Sequence, residues 1–205
     1  MAISHTHKLI FVHNPKCAGT SIIRYFDMED WGHANASESK DRYSKYWDEY
    51  KKFTVVRNPW DRFYSNYRYA IMEESYYHSK IETINPNYKE GENRDVFFKK
   101  APHPDYNNVK DLTFEEYVDY WYFGYSYNLN IHHRPQLEYI HPEVKIIRYE
   151  NLEQELSNWL GEKIKLPLIN PSTPKQPQSP YTPELISKVE KIYLPDIKAL
   201  CYDRP

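Results

Sequence analysis

Apolar residues fall in short blocks along this chain, each closed by proline, glycine or asparagine. The block 8–13 (KLIFVH) is a continuous run of strand formers, which predicts a buried strand. It breaks at Asn14-Pro15 and again at Gly19. Apolar positions then resume behind Thr20-Ser21 at Ile22, Ile23, Tyr25 and Phe26, a helical pattern. The order is strand, tight loop, helix. A second run, 53–56, ends at Arg57-Asn58-Pro59, where Asn58 suits a helix N-cap and Pro59 the first helical position. Trp60, Phe63, Tyr64, Tyr67 and Tyr69 carry that helix on to about residue 75.

Residues 76–112 are polar and interrupted by Pro86, Gly91, Pro102 and Pro104, the pattern of an irregular insertion. Thr113-x-x-Glu116 is a capping-box pattern that opens an aromatic helix over 114–125. A further helix is expected over 132–140, with Pro135 near its first turn. The run 144–148 (VKIIR) predicts a third strand, and Asn151 caps a helix over 152–160. Residues 167–181 form a proline-rich loop. Thr182-Pro183-Glu184 then opens the last helix, which Pro195 ends or kinks. Strands alternating with helices predict a three-layer α/β/α fold around a central parallel sheet. No repeat or linker divides residues 1–205, which are expected to form a single domain.

At 205 residues the chain can bury a core without disulfides or a structural metal. It is 40% hydrophobic and 27% charged, a soluble, globular composition. A net charge of -2 argues against nucleic-acid partners, which leave a basic footprint, but leaves room for a local basic pocket. Cys17 and Cys201 lie far apart without CxxC spacing, so neither a disulfide framework nor a zinc site is expected. No apolar stretch reaches signal-peptide or transmembrane length. The expectation is a cytoplasmic protein without stable membrane insertion, unless the chain is a fragment cut free of an N-terminal anchor. Aromatic residues make up 17% of the chain, 21 of them tyrosines, whose flat faces suit sugar or base stacking but equally reflect biased composition.

The sharpest local signal is His13-Asn14-Pro15-Lys16-Cys17-Ala18-Gly19-Thr20-Ser21. A strand passing through a glycine-containing loop into a helix leaves backbone N–H groups aimed at one point, where an anion is the natural guest. Lys16 adds a full charge, and Thr20 and Ser21 add hydroxyl donors. A lone Gly-Thr-Ser would more simply cap its helix; a lysine directly after a buried strand favours the anion. The stretch is not GxxxxGK[ST], so it is not an ordinary ATP or GTP loop. The second signal is Val55-Val56-Arg57-Asn58-Pro59-Trp60-Asp61-Arg62-Phe63-Tyr64-Ser65. Where a P-loop kinase keeps an acidic magnesium ligand, this chain has Arg57, a phosphate-binding side chain. Ser65, roughly 10 Å further along the helix, is within reach of an anion shared with Arg57. The alternative is that Arg57 and Arg62 pair with surface carboxylates such as Asp61.

Together the two segments resemble the carbohydrate-type sulfotransferases that use 3′-phosphoadenosine 5′-phosphosulfate (PAPS). HNPKCAGTS is similar to their 5′-phosphosulfate loop, and VVRNPWDRFYS to their 3′-phosphate segment. Further resemblance runs through Gly32-His33, His133-Arg134-Pro135-Gln136, Arg148-Tyr149-Glu150-Asn151-Leu152 and the tail from Tyr181 to Asp203. The resemblance implies a P-loop NTPase-like sulfotransferase fold, with PAPS as cosubstrate and PAP as product. It assigns cofactor contacts to Pro15, Lys16, Cys17, Ala18, Gly19, Thr20, Ser21, Arg57 and Ser65. Cys17 stands where relatives often carry threonine or another small residue. Transfer is then an in-line displacement onto an acceptor hydroxyl, on a carbohydrate or small molecule, with Lys16 and a general base as the catalytic groups. Relatives place a catalytic histidine or carboxylate in the interval that holds His33, which makes it the expected base. His132 and His133 are its rivals and, with Arg134, the expected acceptor contacts. No metal is expected. Two other readings share the pocket: a P-loop-type small-molecule kinase and a non-catalytic nucleotide-binding protein. The acceptor and the oligomeric state are not written in the sequence.

Overall fold

A computed structural model describes residues 1–73, 102–124, 131–168 and 180–205. Five strands form one mixed sheet in the order β3-β1-β2-β4-β5. They are β1 (Ala2–Ser4), β2 (Leu9–Val12), β3 (Glu29–Asp30), β4 (Lys51–Val56) and β5 (Lys145–Arg148). The three strands expected from the apolar runs are β2, β4 and β5, and they are mutually parallel, with Val12 opposite Thr54 and Val56 opposite Arg148. β1 and β3 extend this core as an antiparallel edge, with Ala2 opposite Phe11 and Asp30. Neither edge strand was legible as a run, because three and two residues are too few to show a period.

Side chains alternate across the sheet and are buried on both faces, which is why β2 reads LIFV without a polar position. Leu9 and Phe11 join Phe53, Val55 and Ile147 on one face. The helices α1 (Gly19–Tyr25) and α7 (Leu152–Leu160) cover that face through Ile22 and Leu156. Ile10 and Val12 face the other way, against Tyr43 and Trp47 of the segment holding α2 (Ala36–Arg42) and α3 (Ser44–Trp47). The Asn35–Glu38 capping box opens α2.

A second core is aromatic. It joins α4 (Pro59–Ala70), α6 (Phe114–Gly124), α8 (Pro183–Ile192) and α9 (Leu194–Ala199) through Trp60, Phe63, Tyr117, Val189 and Tyr193. Here the capping signals held. Asn58 Oδ1 accepts from Trp60 and Asp61 N–H, and Thr182 caps α8. At Thr113 the side chain and backbone exchange bonds with Glu116. α4 closes at Ala70, short of the expected residue 75. Of the expected insertion only 102–112 is described, including the one-turn α5 (Tyr106–Val109); residue 125 and most of the proline-rich loop lie outside the described residues.

Two expectations fail for identifiable reasons. Asn151 makes no side-chain cap; a 3-10 turn, Tyr149–Asn151, precedes α7, and Glu155 reaches back to the Arg148 N–H at 2.9 Å. The helix expected over 132–140 is replaced by two 3-10 turns, Ile131–His133 and Gln136–Tyr139. Proline at 135 disfavours helical backbone at Arg134. Tertiary partners also take the groups that a helix needs. The buried Arg62 guanidinium donates to the carbonyls of His132 and Arg134 at 3.0 Å each, and the Asp196 carboxylate accepts from the N–H groups of Gln136 and Leu137.

That arrangement delivers Gln136 into the sheet's carboxyl edge. Its Oε1 accepts from Asn14 Nδ2 at 3.1 Å and from the Arg57 N–H at 2.9 Å, while its Nε2 donates to the Arg57 carbonyl at 2.8 Å. Replacing it by an apolar residue of similar length leaves the Arg57 N–H and carbonyl without this partner and Asn14 Nδ2 with the Val55 carbonyl alone. Gln136→Leu should therefore cost about 3 kcal/mol or more of stability, read as a lower urea midpoint. An unchanged midpoint would show that water or rearrangement satisfies those groups.

Candidate active site

The loop between β2 and α1 owes its shape to two residues with left-handed backbone, Lys16 (φ 64) and Ala18 (φ 62). Ala18 is the N-cap of α1 and no side chain caps the helix. The first helical bond runs from Ile22 N–H to the Ala18 carbonyl, so the N–H groups of Gly19, Thr20 and Ser21 stand outside the ladder. The Thr20 and Ser21 hydroxyls are not spent on capping. Cys17 turns inward, with Sγ 3.4 Å from the Pro15 carbonyl, and burial pushes its thiol up to about 11. It lends the loop its backbone, and its side chain belongs to the core.

Arg57, at the end of β4, reaches across to this loop and donates from Nη1 to the Lys16 carbonyl at 3.2 Å. The Tyr149 ring covers its guanidinium at 4.2 Å, and its Nε is buried with no hydrogen-bond partner. Lys16 Nζ lies 3.7 Å from the centroid of the Tyr69 ring. Burial first, then the Arg57 charge, and more weakly that of Arg68, lower the Lys16 ammonium to about 7. Lys16 and Arg57 bring two cationic side chains to one loop, and the buried Arg57 Nε has no hydrogen-bond partner, a combination suited to an anion.

Arg62 has a different role from the surface pairing considered for it. It is 1% exposed and ties Pro15, His132 and Arg134 together through their carbonyls. Ser65 and Asn66 follow on the same helix, both buried, and Asn66 Nδ2 donates to the His132 carbonyl at 2.8 Å.

Four imidazoles form a row whose His132–His103 end lies beside Tyr69, the ring under Lys16. His13 and His33 have ring centroids 4.1 Å apart, His33 and His132 5.4 Å, and His132 and His103 5.1 Å. Tyr69 touches both His103 and His132. His33 Nδ1 lies 3.0 Å from the His13 carbonyl, which can only accept, so Nδ1 carries the proton and Nε2 the lone pair. Burial, then the His13 and N-terminal charges, hold His33 well below the usual histidine range, and hence neutral at pH 7. Asp30, 3.6 Å from His13 Nδ1, is opposed by burial, yet its bond and charge interaction with His13 hold it well below the usual carboxylate range.

His133 and Arg134 are not part of this cluster. The His133 Nε2 is 2.7 Å from Tyr117 Oη, its Nδ1 3.1 Å from Tyr193 Oη, and Trp121 stacks on the ring at 3.9 Å. Both nitrogens are occupied within the aromatic core, which removes His133 as base or acceptor contact. Arg134 pairs with Glu138 and lines a separate concavity of about 520 Å³ with Pro135, Ile192, Tyr193 and Pro195.

A family model described as the Sulfotransferase family matches residues 1–203. The chain belongs to the sulfotransferase family. No curated protein and no solved structure matches it. Sequence reasoning about this sulfotransferase missed Gln136, Arg62, His103 and Tyr69 as parts of the site. His103 lay in the insertion, without a motif around it. For Arg62 and Tyr69, the helical period around Ser65 carried a signal: positions 62, 65, 66 and 69 share one face of α4.

In this sulfotransferase Gly19 is required by a close approach. A Cβ there would stand 1.8 Å from His13 Nε2, and the His13 ring is stacked on Phe11 and set against Asp30. Gly19→Ala should destabilise the fold by about 1–3 kcal/mol, and His13→Ala in the same chain should recover most of that loss. Additive losses in the double variant would exclude the clash as the cause.

Proposed function

We propose that this sulfotransferase uses PAPS as donor and transfers its sulfuryl group to a carbohydrate hydroxyl, with His33 as general base. The observation that carries the reading is the Lys16–Arg57 pair, two cations with an orphaned Arg57 Nε at the mouth of a loop whose first helical N–H groups are unspent. Those groups fit a nucleotide bearing two phosphate positions. The loop 15–21 takes the 5′-phosphosulfate, and Arg57 with Ser65 takes the ribose 3′-phosphate. The donor supplies an activated sulfuryl group.

The residues divide the remaining work. His33 Nε2 takes the proton of the acceptor hydroxyl as its oxygen bonds to sulfur. Lys16 stabilises the negative charge that appears on the bridging oxygen as the sulfur–oxygen bond breaks. Depression of the Lys16 ammonium in the free protein is what an anion would reverse, since a bound phosphate favours its charged form.

Transfer of labelled sulfate from PAPS to an acceptor panel, without added magnesium, tests the reading and separates it from the kinase alternative. His33→Ala should lower turnover by roughly 10²–10⁴-fold with PAP affinity unchanged. The wild-type rate should hold to below the ordinary histidine range before it falls with acid, because a base with a lowered pKa stays unprotonated there. An active His33→Ala enzyme with its acid limb intact would remove His33 from the role.

The 3′-phosphate assignment is tested by binding alone. Arg57→Ala and Ser65→Ala should each weaken PAP by about 1.5–3 kcal/mol, Ser65→Ala at the lower end, and leave adenosine 5′-phosphosulfate nearly unaffected. Equal losses for both ligands would place these side chains elsewhere in the nucleotide site.

A further inference from the structure

His103 lies in a segment that no motif singles out, yet it is 3% exposed and joined directly to the site. Its Nδ1 accepts from the Asp105 backbone N–H at 3.1 Å, while the Asp105 carboxylate stands 3.6 Å from the same nitrogen, beyond hydrogen-bond reach, so Nδ1 is the acceptor nitrogen. The proton of the neutral ring is then on Nε2. Burial, then the Lys16 charge, keep His103 neutral by lowering it to about 4. Its Nε2 stands 2.9 Å from His132 Nδ1, so that contact runs from the His103 N–H to the His132 lone pair. His132 in turn must carry its own proton on Nε2. Two fixed backbone groups thus set opposite tautomers: the His13 carbonyl makes His33 an acceptor at Nε2, and the Asp105 amide makes His132 a donor at Nε2.

We propose that His103 is a positioning residue that fixes His132 as the N–H donor opposite the His33 base, so that His132 is excluded as the base. The proposal rests on the sulfuryl-transfer reading and deepens it by assigning different roles to two adjacent imidazoles. A buried imidazole that lost its tautomer partner would populate both forms, and the form protonated at Nδ1 would present a second lone pair at Nε2 where the site needs a donor. Tyr69, in ring contact with both His103 and His132, holds the pair beside Lys16.

Long-range proton–nitrogen correlation on the ¹⁵N-labelled full chain at neutral pH reads the tautomers directly. The expected spectrum has His33 protonated at Nδ1 and both His103 and His132 at Nε2. His132 protonated at Nδ1, or doubly protonated, overturns the proposal. In turnover, His103→Leu should lower kcat by roughly 10–10²-fold without changing the affinity for PAP. His103→Gln keeps an N–H donor near the position of Nε2 and should restore most of that loss. Unchanged kcat in a folded His103→Leu protein also overturns it, as does an equal loss in both variants. The spectrum needs no turnover, so a wild-type protein that transfers no sulfuryl group would sink the functional reading while the tautomers were still decided.

Discussion

One buried amide holds this molecule's site together. Gln136 is fully enclosed, and its side chain joins the end of β2, through Asn14, to the end of β4, through both backbone groups of Arg57. Neighbouring parallel strands end in loops that share no backbone ladder, so nothing in the sheet itself fixes one loop against the next. The amide supplies that link with two acceptor positions and a donor, in a region where unpaired groups are costly. Its own backbone N–H is held by Asp196 from α9, so the C-terminal helices set the position of the clamp. The spacing of Lys16 and Arg57 is therefore a consequence of residues near both ends of the chain.

Arg62 does the complementary work from below. Its guanidinium spreads over the Pro15, His132 and Arg134 carbonyls, binding the loop before α1 to the turn that carries His132. Two arginines five residues apart thus differ completely in role. Arg62 gives three N–H donors to backbone carbonyls and is structural, while Arg57 keeps a buried Nε without a partner. Charge alone does not separate them; the count of satisfied donors does.

The parallel core of the fold was legible because β2, β4 and β5 are buried on both faces and so appear as unbroken apolar runs. Helix starts were legible where a side chain closes the cap, as at Asn58, Thr113 and Thr182. What stayed hidden was decided by tertiary contacts. The 3-10 turns around Pro135 exist because Arg62 and Asp196 take the hydrogen bonds a helix would have used. At the site, Lys16, Arg57 and His33 were within reach of a motif; Arg57 bonds to the Lys16 carbonyl, and His33 packs on His13 and His132. His103 was not, because a single histidine in a polar stretch carries no pattern until the fold sets it against His132.

The electrostatic arrangement works against the stability of the free protein. With Lys16 lowered to about 7, the folded chain releases a proton that the unfolded chain keeps up to the ordinary lysine range. Between those limits the unfolded state binds more protons, so stability rises with pH and the neutral range bears the cost of holding this lysine beside Arg57. His33, His103 and His132 add no charge, since burial keeps them neutral. Under the proposed function, an anion seated between Lys16 and Arg57 would reverse the balance, restoring the ammonium and satisfying Arg57 Nε together. In the proposed sulfuryl transfer, the same cations that weaken the free protein would be preorganised for charge developing on a leaving oxygen, with little reorganisation left to make at the moment of transfer.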